Sequence, residues 1–269
     1  MSLVFAAIAP HGSLPEAPVP GAERTHAGLE ELGRRFDAAQ PEATIVLTPH
    51  NVHVEGHFAV VLAGTLAGNL AEFDALEVRL SCPVDLELAT QVVVALHDDG
   101  LPVVGASFGA NDPAAAVAPM DWGVLIPLWC MGGRSDPQVP AVVVSPARDR
   151  PLPEHVRAGQ ALARAAAESG KRVALIASAD HGHAHDPDGP YGFDPAAAEY
   201  DRRVVELVRE NRLEVLLGLD AAFVDAAKAD SWWQMVMLHG ALGAGWSADF
   251  LSYEASTYFG MLCAAFAPN

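Results

Sequence analysis

Short, uninterrupted apolar runs that stop at proline or glycine recur along this chain, and they constrain its fold more than any other feature. Residues 3–9 (LVFAAIA) run into Pro10-His11-Gly12, and residues 44–47 (TIVL) end just before Pro49-His50. Residues 58–62, 102–106, 141–145 (AVVVS) and 172–178 (RVALIAS) have the same character. Runs of this length with no polar face suit strands buried on both sides. Between them lie helical patterns. One covers 23–39, with Ala27, Leu29, Leu32 and Phe36 at helical spacing. Another covers 84–99, stopped by Gly100, and an Ala-rich one covers 154–169, closed by Gly170. Residues 196–242 read as several helices in succession, and 250–266 return to short β-like runs. Residues 13–21 and 108–120 read as loops, and 124–131 fit either a helix or a strand. The alternation predicts an α/β fold, a mostly parallel or mixed sheet with helices on both faces. No linker, repeat or low-complexity tract breaks the pattern, so residues 1–269 are expected to form a single domain.

Charge narrows the function. The chain carries 16 Lys+Arg against 34 Asp+Glu, a formal net charge of −18. So acidic a chain lacks the basic face that nucleic acid requires and is repelled by anionic lipid. No apolar stretch is long enough to span a bilayer, and the apolar start, 1–10, is too short for a signal peptide and lacks a basic flank. Cys82, Cys130 and Cys263 are few, odd in number and far apart, which argues against a disulfide framework and a thiolate zinc site. A cytoplasmic protein is expected.

The chemistry is expected to lie in the histidines. Six of the 11 fall in two short windows, 50–57 and 181–185. His11 and His50 each stand just beyond a predicted strand, directly after a proline. The polar loop 180–195, with His181, His183 and His185, follows another. In open α/β sheets ligands bind beyond the carboxyl ends of strands, so these segments are expected to meet at one rim. Imidazole is a common metal ligand. Two histidines with one carboxylate make the facial triad of non-haem iron(II) sites, and the same set also suits zinc. Two carboxylates are candidates. Asp230 begins the apolar helix WWQMVMLHGAL, where its ordinary role would be an N-cap. Glu254 lies in LSYEASTY, where it would ordinarily be a solvent-facing strand residue; spacing does not choose between them. His181, His183 and His185 alternate, so in an extended segment they cannot all face one point. His53 and His57 are candidate partners of His50, while His26, His97, His155 and His239 are expected on ordinary helix faces. There is no phosphate-cradling GxxxxGK[ST], no GxGxxG and no HExxH.

Taken in order, the motifs resemble the class III extradiol ring-cleavage dioxygenases of the protocatechuate 4,5-dioxygenase β-subunit type. The resemblance is carried by Ala9-Pro10-His11-Gly12, Leu47-Thr48-Pro49-His50-Asn51 and Asp121-Trp122-Gly123 with Ile126-Pro127-Leu128. It continues in Ser178-Ala179-Asp180-His181-Gly182-His183, His239-Gly240-Ala241-Leu242 and Tyr253…Thr257…Gly260. It implies one catalytic domain holding Fe(II), with His11 and His50 as ligands, Asp230 nearest the family's carboxylate, and an aromatic diol and O2 as substrates. It also implies His183 as acid/base, with His181 as the fallback and Asp180, Asp186 or Tyr191 to orient it. One departure stands out. Where the family commonly has a second active-site histidine, this chain has Trp122, which transfers no proton but can stack on an aromatic ring. The competing expectations are a metal- or small-molecule-binding protein on the same scaffold without ring cleavage, and a zinc hydrolase. The Trp232-Trp233 pair and the apolar C-terminus leave room for a homodimer.

Overall fold

The structure is a computed structural model that describes residues 3–13 and 20–269. The Pro-rich loop expected at 13–21 therefore lies mostly outside the described residues. In chain order the elements are β1 (Leu3–Ala9), α1 (Glu23–Ala39), β2 (Ala43–Leu47), β3 (Phe58–Val61), β4 (Thr65–Leu70) and β5 (Ala75–Pro83). Then follow α2 (Leu86–Asp98), β6 (Val103–Ala106), β7 (Val117–Pro119), α3 (Trp122–Cys130), β8 (Ala141–Ser145), α4 (Leu152–Glu168) and β9 (Val173–Ser178). The chain ends with α5 (Pro195–Arg209), α6 (Ala221–Ala226), α7 (Trp232–Leu242), β10 (Trp246–Glu254) and β11 (Met261–Pro268). All six apolar runs are strands of one eight-stranded sheet, ordered β10-β11-β1-β9-β2-β8-β3-β6.

That sheet is mixed. β1, β9, β2 and β8 run parallel, β3 turns antiparallel to β8, and β11 and β10 add an antiparallel edge. Side chains alternate across it, as a pleated strand requires. Phe5, Ala7, Ala9, Ala174 and Ile176 pack with Leu29, Leu32 and Phe36 of α1. Ala6, Ile8, Leu175 and Ala177 pack on the opposite side with α4 and α7. Helices therefore cover both faces, and the fold is α/β as the run pattern predicts.

Register sets the rim. Ala9 lies opposite Ser178, and Leu47 lies opposite both Ala177 and Val144. Four parallel strands thus end level, and the segments after β1, β2, β8 and β9 emerge side by side. α7 is seated by a close crossing with α4. A Cβ on Gly159 would lie 1.9 Å from the Met237 carbonyl, and one on Gly240 2.2 Å from that of Val156, so only glycine allows the approach.

Two parts depart from expectation. The small sheet β5-β4-β7 has no apolar run to announce it, because only alternate residues of β5 are buried. The ambiguous stretch 124–131 is mostly α3, buried from Gly123 to Leu128 with Pro127 inside it. A helix apolar all round shows no periodicity. Among the described residues no helix is long and apolar enough to cross a membrane.

Candidate metal centre

His11 follows β1 at the rim and is almost fully buried. Its backbone N–H donates to Asp180 Oδ1 (3.1 Å), and its Nδ1 lies 2.9 Å from Ser178 Oγ, at the end of β9. The Ser178 hydroxyl donates to the Gly123 carbonyl at 2.5 Å. A hydroxyl has one proton, so Ser178 must accept from His11 Nδ1–H, which leaves the Nε2 lone pair free. His50 follows β2. Its backbone N–H donates to Thr48 Oγ1, its carbonyl accepts from Ser145 Oγ, and the neighbouring Pro49 carbonyl accepts from Arg148. The two imidazoles meet edge to face with centroids 5.0 Å apart.

Asp230 completes the group: ligand atoms of His11, His50 and Asp230 all lie within 4.8 Å of one another. Asp230 Oδ2 is 3.5 Å from His50 Nε2, while Oδ1 is buried with no hydrogen-bond partner among the described residues. Asp230 is not the N-cap of α7; Ser231 holds that position. The Asp230 carbonyl instead accepts from Gln234 Nε2, which also donates to the Ser178 carbonyl. That one amide links the backbone behind the carboxylate to the backbone behind His11's brace.

Electrostatics suit a cation. Burial above all, then neighbouring imidazoles and Arg148, pushes the pKa values of His11 and His50 down to about 3. Both imidazoles are therefore neutral at neutral pH, as a metal ligand must be. Burial, with Asp180 nearby, raises Asp230 to about 8 against the opposing pull of Arg148. An orphaned carboxylate oxygen beside two neutral imidazoles is an arrangement that a divalent cation would relieve. The residues present therefore fit the implied metal. Glu254 lies elsewhere. Buried at the end of β10 rather than facing solvent, it accepts from Thr25 N, Thr25 Oγ1 and Arg24 Nε, and so caps α1, which has no side-chain cap of its own.

The three alternating histidines diverge as an extended segment requires. His181 is fully buried, its Nδ1 2.9 Å from Ser231 Oγ, and it does not line the cavity. His183 does line it, in a cavity of about 640 Å³ that also contains His50, Arg148, Tyr191, Asp230 and Trp233. His183 Nδ1 donates to the His181 carbonyl at 2.7 Å, which leaves Nε2 as the basic nitrogen, and its ring stacks on Phe259. His185 turns away to Asp201. Asp180, expected to orient His183, braces His11 instead, and Asp186 closes its own turn by accepting from Asp188 N. Tyr191 alone of the three meets the His183 ring, edge to face with centroids 5.9 Å apart.

Trp122, the candidate substrate contact, packs on His50 with centroids 4.5 Å apart and lines a second, smaller cavity rather than the larger one. His53 also lines that smaller cavity, whereas His57 bonds the Glu55 carbonyl. Of the histidines assigned to helix faces, His155 is buried. The Trp232-Trp233 pair faces inward: Trp232 is buried with Nε1 on the Leu216 carbonyl, and Trp233 lies under Arg148. Trp233 is half-buried and lines the larger cavity. Gly105-Ala106-Ser107-Phe108-Gly109 has the spacing of a nucleophile elbow, but it ends edge strand β6 and no α-helix follows it directly. Ser178, Arg148, Gln234 and Gly123 escape sequence reasoning because none bears a motif of its own, although Ser178 and Gly123 sit inside motifs.

A family model described as "Catalytic LigB subunit of aromatic ring-opening dioxygenase" matches residues 6–263. Protein CA_C1420 of Clostridium acetobutylicum is 22% identical over 236 residues, covering 87% of this chain. The chain spans about half the length of that relative, 50%. The crystal structure of uncharacterized protein JW3007 from Escherichia coli K12 superposes with a TM-score of 0.62 at 18% identity, covering 97% of this chain and 99% of that one. That likeness bears on the fold.

Proposed function

The chain belongs to the family of catalytic LigB subunits of aromatic ring-opening dioxygenases, and from that premise we propose that it is a non-haem iron(II) extradiol dioxygenase that cleaves a catechol-type ring with O2. In this reading residues 1–269 act as one catalytic domain. The observation that carries it is the His11–His50–Asp230 cluster, with His50 and Asp230 lining a cavity whose wall includes His183.

His11, His50 and Asp230 would hold the metal through two neutral nitrogens and one carboxylate oxygen. Bound iron(II) would supply open positions for both catechol oxygens and for O2, and electron exchange between them. The protein's own part is proton handling and placement. His183 Nδ1 donates to a carbonyl, which leaves Nε2 as the nitrogen that can exchange a proton. It is therefore set to take a hydroxyl proton from the diol and to return one later as general acid. Arg148 lines the same cavity, anchored to the Pro49 carbonyl and lying over Trp233. It lowers the cost of an ionised diol there. The apolar side chains of Pro151, Leu152, Val224 and Trp232 line the cavity too and would exclude water from the ring.

The test is anaerobic loading with Fe(II), then oxygen uptake and ring-opened product across a catechol panel. His11→Ala and His50→Ala are each expected to abolish iron retention. Iron that survives both changes would refute the ligand assignment, and no uptake with any diol would refute the activity. One observation favours a second reading, a metal-binding protein without ring cleavage. Trp122, in place of a proton-transferring histidine, packs directly on His50. Under that reading iron binds and no oxygen is consumed. Metal analysis of protein purified without oxygen separates both from a zinc hydrolase.

A further inference from the structure

Away from the metal cluster, α5 carries a buried carboxylate that nothing above uses. Asp201 is 1% exposed. Its Oδ1 accepts the Gly182 N–H at 2.7 Å. Its Oδ2 accepts Tyr253 O–H at 2.7 Å and lies 2.8 Å from His185 Nε2. A carboxylate only accepts, so His185 Nε2 carries a proton. Gly260 presses on the same oxygen: a Cβ there would lie 1.9 Å from Oδ2. Three donors and one glycine thus converge on a single side chain.

The residues it holds are telling. Gly182 and His185 flank His183, one on each side. The rest of this segment is secured through its backbone, with His181 N–H on the Gly260 carbonyl, His183 N–H on that of Ala227 and His185 N–H on that of Tyr258. Among the described residues the His183 ring has one hydrogen bond, Nδ1 to the His181 carbonyl, and otherwise meets aromatic rings. Ring contacts do not fix ring rotation as a directional bond does, so the place of the imidazole at the cavity wall depends on the course of residues 181–185.

We propose that Asp201 is the positioning residue for His183: by tying Gly182 and His185 to α5, and α5 to Tyr253 of β10, it sets the backbone path on which the imidazole stands. The proposal rests on His183 acting as acid/base, and it makes a statement about the free protein that can be tested without any turnover. Outer partners of this kind typically change activity by about 10- to 100-fold when altered.

The experiment uses the full chain carrying 15N-labelled histidine, as wild type and as Asp201→Asn, His185→Gln and Tyr253→Phe. In the wild type His183 is expected to be a single Nδ1–H tautomer. In Asp201→Asn it is expected to become a mixture of tautomers. Oxygen uptake with a catechol should then show kcat reduced about 10-fold or more, with KM and Fe(II) affinity within about twofold of wild type, since His11, His50 and Asp230 are untouched. Tyr253→Phe and His185→Gln each remove one partner and should give smaller changes in the same direction. They decide the matter if Asp201→Asn does not fold. An unchanged His183 tautomer and an unchanged kcat in the variants that fold would overturn the proposal. A wild type that consumes no oxygen would overturn the dioxygenase reading alone, because the tautomer comparison still stands.

Discussion

Among the described residues Asp230 has one oxygen 3.5 Å from an imidazole and the other buried without a partner, and that side chain governs how the metal-free protein should respond to rising pH. Its pKa is raised from 3.8 to about 8. The folded chain therefore keeps a proton that the unfolded chain releases, and stability falls as pH rises through that window. His11, His50 and His181 act in the opposite sense. Their folded pKa values lie near 3, 3 and 4 against 6.5 unfolded, so stability falls as pH drops below 6.5. Asp180, raised to about 6, works in the carboxylate sense and is spent by then. Between pH 6.5 and 8 the raised Asp230 is the group whose titration spans the interval. The metal-free protein should lose thermal stability across that interval, and Asp230→Asn should flatten the loss. Saturating divalent metal should reverse it, because the cation binds the ionised form. Thermal unfolding at stepped pH measures this; the same slope in Asp230→Asn would show that another group is responsible.

At the scale of elements, the first turn of α3 bears on both candidate histidine ligands, on His50 by contact and on His11 through Ser178. Asp121 caps it by accepting from Val124 N, Trp122 packs on His50, and the Gly123 carbonyl receives the Ser178 hydroxyl that holds His11. Gly123 also has no room for a side chain. A Cβ would lie 2.8 Å from Thr48 Oγ1 and 3.0 Å from the His50 ring. Gly123→Ala should thus shift His50 and weaken metal binding by about 10-fold or more, measured by metal titration. A control at Gly100, where a Cβ meets nothing within 4 Å, should leave metal affinity unchanged; its positive φ of 67° confines the cost to stability. Equal metal affinity in wild type and Gly123→Ala would show that α3 does not seat His50. None of this turn was legible in the sequence beyond the Asp-Trp-Gly motif itself. α3 is apolar on every side, and the hydrogen bond by which it holds Ser178 spans 55 positions of chain.

For the molecule as a whole, a net charge of −18 on 269 residues is a standing self-repulsion that opposes the compact state. Screening it should help. Raising sodium chloride from about 0.02 M to about 0.5 M shortens the Debye length several-fold, and the melting temperature should rise; a fall would mean that the surface ion pairs outweigh the repulsion. Charge and apolar pattern are properties of composition and order, and those are what the sequence by itself determined. It set which runs become buried strands, where proline and glycine stop them, that helices lie between them, and therefore that His11, His50 and His183 emerge from strand ends. Tertiary structure alone decided the rest. It brought Asp230 rather than Glu254 beside His11 and His50, sent His181 into the core and His183 to the cavity, buried Trp232, gave Asp180 to His11 and placed Trp122 on His50. The physical reason is range: strand burial follows from neighbours a few residues apart, whereas a ligand cluster a few ångströms wide depends on sheet register and side-chain rotation among segments as far apart as residues 11 and 230.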